Sequence, residues 1–263
     1  WEKFRQHAPE ARRVEDGAAL LADNDVEAVV ACLDWAAMPE WLERLLACPK
    51  PVLLEKPIGL TVAETKAAID AAGTPGAERL VGYNRRFYET VERLGARIAA
   101  GGLKAADAVI SESMASHIAR HGRDVVPHLL AFASSHSLDL LLHLFGPLEP
   151  TAIAPYADVG EAAPFISYNG VLRTGSGVPL ALALNADDPT PAGIRCRFDD
   201  GTTWHLSPLE VLTVYHGTDI DAATAEFNVR RYTPRVIERH IVDAELKPGF
   251  KAQMAAFLTR EFG

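Results

Sequence analysis

Pro51-Val-Leu-Leu-Glu-Lys-Pro-Ile58 is a buried-strand pattern with charge set directly on its end. Val52, Leu53 and Leu54 form a short apolar run, and Glu55 and Lys56 follow without a spacer. Upstream, Glu27-Ala-Val-Val-Ala-Cys-Leu33 is a second such run, read as a strand buried on both faces. Between the two, Trp41, Leu42, Leu45 and Leu46 recur at helical spacing, so 37–48 is an amphipathic helix stopped by Pro49-Lys-Pro51. Gly17–Asp23 reads as a short helix before the first run. Downstream, Thr61-Val-Ala-Glu64 has the capping-box spacing and opens a helix ending near Gly73. Arg79-Leu-Val-Gly-Tyr83 is the next strand. Strand, helix, strand, helix, strand with short links predicts a parallel, doubly wound sheet. In such sheets ligands sit outside the carboxyl ends of the strands, which is where Glu55 and Lys56 fall. The same pair also fits a solvated strand end.

The pattern changes after Asn84. Residues 87–100 form a helix ended by Gly101-Gly102, 106–112 a strand, and 125–145 a mostly helical stretch ended by Gly146-Pro147. From Phe165 onward the chain is mostly strands, at 178–184, 194–198, 203–206 and 211–215, with Asp199-Asp200-Gly201-Thr202 as a hairpin turn. The expected architecture is α/β. Residues 1–86 form an incomplete Rossmann-type doubly wound parallel sheet, and 87–263 an α+β domain with a large, mostly antiparallel open sheet. It is incomplete because no G-x-G-x-x-G and no P-loop follows any strand, and Gly73, Gly76 and Gly82 read as turns. A Rossmann sheet carries its glycine loop after its first strand. That loop and an initiator Met are both missing, so we expect a chain cut at its N-terminus. The end 257–263 stops inside a helical pattern, so a C-terminal cut is expected as well.

Composition bounds the function. Of 263 residues, 48% are hydrophobic and 23% charged, which is globular composition. The formal charge of −9 repels phosphate backbones and argues against nucleic acid as a partner. No apolar run approaches the ~20 residues needed to span a bilayer, so no membrane partner is expected. Cys32, Cys48 and Cys196 are isolated, without metal or disulfide spacing, and no N-x-[ST] sequon occurs, as in a cytoplasmic protein.

Three blocks in order, Asp25-Val-Glu-Ala-Val-Val-Ala31, Pro51-Val-Leu-Leu-Glu-Lys-Pro-Ile58 and Val81-Gly-Tyr-Asn-Arg-Arg-Phe87, resemble the Gfo/Idh/MocA family. This is the glucose–fructose oxidoreductase, inositol dehydrogenase and rhizopine-catabolism group. The resemblance covers nearly the whole chain. Ser135-His-Ser-Leu-Asp-Leu-Leu-Leu-His-Leu-Phe-Gly146 is similar to its His-bearing helix. Trp204–Glu210 and Pro248–Gln253 fit its later sheet and closing helix. The resemblance implies an oxidoreductase with NAD or NADP as cofactor, acting on a hydroxyl or carbonyl carbon of a sugar, cyclitol or sugar-nucleotide-like molecule. It implies Lys56 and His136 as catalytic residues, with Glu55, Lys56, Pro57, Asn84 and Arg85 at the cofactor. It implies Lys56, His117, His136 and Asp139 at the substrate, and no metal. An imidazole suits proton exchange because it titrates near working pH. Family sheets often pair face to face, which implies a homodimer or homotetramer. Leu180, Leu182 and Leu184 alternate as its apolar patch.

Two positions depart from the family pattern. Its catalytic members carry Asp four residues before the His, where this chain has Phe132. The loop Leu33-Asp-Trp-Ala-Ala-Met38 lacks the usual His. His117, Ser134 or Asp139 is the stand-in expected for the Asp. The alternative is a family member that binds cofactor or sugar without turnover.

Other candidates have plainer readings. His117 and His121 have metal-like i,i+4 spacing, but Gly122 breaks the helix at once. Arg86 is as well read as a salt bridge as a ligand contact. On the helix with Asp139 and His143, the apolar face is Leu138, Leu141, Leu142 and Phe145, with His143 on its flank. Trp35 and Trp41 read as packing residues, and Asp187-Asp188-Pro189 as a loop.

Overall fold

Short β-branched runs separated by amphipathic helices produce a parallel sheet in the first part of the chain. A computed structural model describes residues 1–73, 77–157, 167–186, 188–243 and 245–260. Gly76, Phe165, Asp187 and the last residues 261–263, on which some of the expectations above fall, lie outside the described residues. The chain divides into two compact units, Trp1–Val81 and Gly82–Gly263.

In the first unit, α1 (Glu2–Arg5) and α2 (Gly17–Ala22) precede β1 (Val29–Ala31), α3 (Met38–Ala47), β2 (Val52–Leu54), α4 (Val62–Ala72) and β3 (Arg79–Val81). The strands are parallel in the order β1-β2-β3, with Val30 opposite Leu53 and Leu53 opposite Leu80. Helix α3 buries Met38, Leu42, Leu45 and Leu46 in one core with Val52 and Leu54. Each such side chain is worth ~1.5–3 kcal/mol when fully buried. Trp41 packs on this core, and Gly17 gives it room, since a Cβ there would meet the indole at 2.5 Å. Arg79 pins the end of α3, donating to the carbonyls of Leu46 (2.8 Å) and Lys50 (2.9 Å). The Leu46 carbonyl lies in the last turn of α3, where carbonyls lack helical partners. The capping box forms: Glu64 N–H donates to Thr61 Oγ1 at 3.1 Å and Thr61 N–H to Glu64 Oε2 at 3.2 Å. One expectation is corrected. β1 is not buried on both faces, because Val30 is 43% exposed while Val29 and Ala31 point into the α3 core.

The second unit begins with the 3₁₀ turn Asn84–Phe87. Then come α5 (Glu89–Ala99), β4 (Leu103–Glu112), α6 (Met114–His121), the 3₁₀ turn Arg123–His128, the π turn Leu130–Ser134 and α7 (Ser135–Phe145). The rest is β5 (Leu148–Ala157), β6 (Ser167–Thr174), β7 (Pro179–Ala186), β8 (Gly193–Phe198), β9 (Thr202–Leu206), β10 (Val211–Asp221), β11 (Arg231–Ile241) and α8 (Phe250–Thr259). These strands form one sheet, ordered β11-β10-β9-β8-β4-β7-β6-β5. Only β4–β7 pairs parallel. One face carries Ala106, Ala108, Ile110, Ile194, Cys196 and Leu206, buried with Leu94 of α5 and Leu140 and Leu141 of α7. β5 and β11 are strands the sequence pattern hid. Pro150 and Pro155 sit at register shifts in β5, and Pro234 sits in the edge strand β11, where a missing donor is tolerated.

Two further corrections concern faces. Leu180 and Leu184 are buried in the unit's own core and Leu182 shares their side of β7, so they do not form an outward patch. The opposite face carries the cross-strand row Ala181, Asp107, Arg195, His205. On α7 the buried face is Leu140, Leu141, Leu144 and Phe145, and Leu142 is 50% exposed. The division after Val81 falls a few residues before the expected boundary at 86. The turn 84–87 is held by the second unit through Asn84 on Pro248 and Arg86 on Asp139.

Candidate active site

In the first unit the parallel strands end together, at Ala31, Leu54 and Val81. Glu55 N–H donates to Ala31 O at 3.0 Å, continuing the ladder one residue past β2 and holding the loop against it. Lys56 follows half-buried, Pro57 is buried, and the Lys56–Pro57 peptide is cis. The Cys32 thiol is held above its usual pKa, first by burial and then by the negative charge of Glu55. Glu55 and Lys56 thus put an acceptor and a donor side by side at the end of a fully buried strand. That pairing fits the ribose hydroxyls and carboxamide of a nicotinamide nucleotide. No G-x-G-x-x-G pattern occurs in the 263-residue sequence.

In the second unit, His136 lies in the first turn of α7, directly after the π turn. Such turns recur at functional sites. Tyr83 meets His136 edge to face, with ring centroids 5.8 Å apart and planes at 82°. Arg85 Nη1 donates to Ser137 Oγ at 2.6 Å. Arg86 makes a two-pronged pair with Asp139, Nε to Oδ2 at 2.7 Å and Nη2 to Oδ1. The Arg86–Asp139 hydrogen bond raises the guanidinium pKa. The Tyr83 phenol is pushed up by burial first and by the Asp139 charge second. The His143 imidazole is lowered by burial first and then by Arg86.

The remaining candidates sort by their contacts. Asn84 is 3% exposed and donates its amide N–H to Pro248 O at 3.1 Å. Asp139 is engaged by Arg86, and Ser134 is fully buried. His117 Nε2 lies 3.5 Å from Glu112 Oε2. The rings of His117 and His121 both stand edge-on to Phe132, at 5.8 Å and 4.7 Å. Among the described residues no three His, Cys, Asp or Glu side chains gather as metal ligands. Sequence reasoning did not single out Tyr83, Ser137 or Gly249, which only the packing of distant segments brings to this site. Lys56 and His136 belong to different units, and each is described within its own.

Residues 2–83 match the model of an oxidoreductase family with an NAD-binding Rossmann fold. The inositol 2-dehydrogenase of Acidothermus cellulolyticus is 32% identical over 143 residues, 52% of this chain and 40% of that protein. The chain spans a quarter to a half of the length of the first inositol 2-dehydrogenases it matches. Two solved structures under 25% identical share the fold. The UDP-N-acetylglucosamine 3-dehydrogenase from Acidithiobacillus ferrooxidans aligns with a TM-score of 0.66 and 20% identity, over 98% of this chain and 77% of that one. A levoglucosan dehydrogenase in complex with NADH and levoglucosan aligns with a TM-score of 0.66 and 15% identity, over 85% and 64%. Among the described residues no helix is long and apolar enough to cross a membrane.

Proposed function

We propose that this chain belongs to the Gfo/Idh/MocA oxidoreductase family, whose NAD-binding model its residues 2–83 match, and that its protein is an NAD(P)-dependent dehydrogenase or reductase of a sugar, cyclitol or sugar-nucleotide-like substrate. The observation that carries this reading is the Glu55-Lys56-Pro57 loop on the carboxyl end of β2, inside the segment that matches the NAD-binding family. The nicotinamide, when bound, supplies the hydride acceptor or donor. Lys56 donates a hydrogen bond to the substrate oxygen and stabilises the charge that develops there. His136 takes the hydroxyl proton on oxidation and returns it on reduction. Glu55, Pro57 and Arg85 line the cofactor side, and Asn84 seats the turn that presents Arg85. His117, held by Glu112 beside Phe132, supplies the polar group that Phe132 cannot.

A fluorescence titration of the intact protein with NADH and NADPH, followed by turnover on myo-inositol and related polyols, tests the proposal and decides between the cofactors. Lys56→Ala is expected to cost about 10²–10⁴-fold in turnover. Unchanged turnover in that variant sinks the catalytic reading. One observation favours a second reading, a member that binds without turnover: Phe132 stands where the family's catalytic members place Asp, and its ring is occupied by two histidines. Cofactor binding without turnover on any polyol tried would select it. A homodimer or homotetramer through the second unit's open sheet face is part of the same proposal.

A further inference from the structure

We infer that the turn Tyr83–Arg86, seated on Pro248–Gly249, is a positioning device that fixes the imidazole of His136. This rests on the proposed role of His136 in proton exchange and names the residues that would make its geometry productive.

Contacts from this one short turn reach α7 at positions 136, 137 and 139. The Tyr83 ring lies edge-on to His136, Arg85 holds Ser137 Oγ at 2.6 Å, and Arg86 grips the Asp139 carboxylate from two nitrogens. With ~100° between successive helical residues, those three positions spread over an arc of about 160°. A rotation or slide of the helix start therefore breaks at least one contact. The support is needed because the π turn Leu130–Ser134 lies immediately before, so no regular α-helical ladder extends upstream of His136.

The turn is itself braced from its other side. Asn84 is buried and its amide donates to Pro248 O. Gly249 has φ +80, and a Cβ there would meet Asn84 O at 2.1 Å. Only glycine allows α8 to start this close beneath the turn. The chain order is thus Pro248–Gly249, then the turn, then His136, all within the second unit. Tyr83, Arg85 and Arg86 act through His136 and are positioning residues, not catalytic ones.

The test exploits the fact that a partly buried ion pair is often replaceable by apolar side chains without loss of stability. In the intact protein, Arg86→Met and Asp139→Leu are made singly and together. The readouts are melting temperature, the ring resonances of His136 in histidine-labelled protein, and kcat and KM with NADH and NADPH. His136→Gln assigns those resonances, and Tyr83→Leu shows their position without the neighbouring ring current. The expected result is that each single variant melts lower and the double variant regains much of the loss. In all three, the His136 resonances move toward the Tyr83→Leu position. In all three, kcat falls about 10–100-fold, with KM for the nicotinamide nucleotide within about twofold. His136 resonances at their wild-type position in the folded double variant would overturn the inference, as would turnover that recovers together with the melting temperature. If His136→Gln turns over normally, the proposed role of His136 falls. The resonance shifts then still decide whether the turn orients the ring.

Discussion

Gly249 shows how a missing Cβ governs a side chain far away in sequence. Its positive φ and the 2.1 Å approach to Asn84 O penalise any side chain twice. Gly249→Ala is expected to destabilise the second unit by more than ~1 kcal/mol, read as a lower urea midpoint at unchanged slope. Cys196 is the opposite case, a side chain whose chemistry is silenced by burial. Its thiol pKa is pushed up to about 12, by burial first and the Asp107 charge second, against Arg197. A raised folded pKa stabilises fully below the unfolded thiol value of ~8.5. That contribution fades as pH rises toward about 12. Native protein at pH 8 should therefore leave Cys196 and the buried Cys48 unlabelled by a disulfide reagent, while the surface-accessible Cys32 reacts, more slowly than an ordinary thiol because its sulfur is partly desolvated and faces Glu55. Labelling of Cys196 before unfolding would contradict its burial. Lys56 stood out in the sequence because a charge set directly on the end of an apolar run is conspicuous, and His136 only through the likeness of 135–146 to the family's His-bearing helix. Tyr83 and Ser137 did not, because nothing local distinguishes them from ordinary packing residues.

At the scale of elements, legibility follows the range of the interactions. The α4 capping box was readable because donor and acceptor lie three residues apart, and both of its hydrogen bonds form. Thr61→Ala should cost ~1 kcal/mol, seen as a loss of stability that Thr61→Ser largely spares. The β8–β9 turn was equally readable, with Gly201 at φ +80 after Asp200. Asp200 is held down at about 2, by the Thr202 hydroxyl and N–H first and Arg97 last. A depressed carboxylate stabilises above its unfolded value of ~3.9. That contribution is lost as pH falls toward about 2. Thr202→Val should therefore move the acid-unfolding midpoint to higher pH, and an unmoved midpoint would dismiss the contribution. β5 and β11 were hidden because prolines interrupt the two-residue alternation. The partner strand, not the local pattern, holds them in the sheet.

For the whole molecule, the consequential correction is which face of the large sheet is available. The leucines of β7 pack inward, and the other face presents Val171, Ala181, Asp107, Arg195 and His205 in one cross-strand row. A groove of about 430 Å³ beside it is lined by Arg195, Arg197, Thr203, His205, Tyr215 and Pro234. If copies pair through this face, Ala181→Glu should yield single chains in sedimentation with little change in melting temperature. A wild-type mass equal to one chain removes the assembly proposal. Arg197 is already paired with Asp107 at 2.7 Å, so part of the row is neutralised before any partner arrives.

The sequence by itself determined the alternating strands and helices and the parallel sheet of the first unit, the strand-rich second unit and the charged Glu55-Lys56 pair on a strand end. Those features depend on periodicity, caps, turn residues and charge at strand ends, all encoded within about ten positions. Only the tertiary structure decided which face of β7 is core, how Pro248–Gly249 braces the Asn84 turn, and that Arg86 is spent on Asp139. Each of those outcomes joins segments separated by dozens of residues. Which of two chemically acceptable partners a side chain takes is settled by packing.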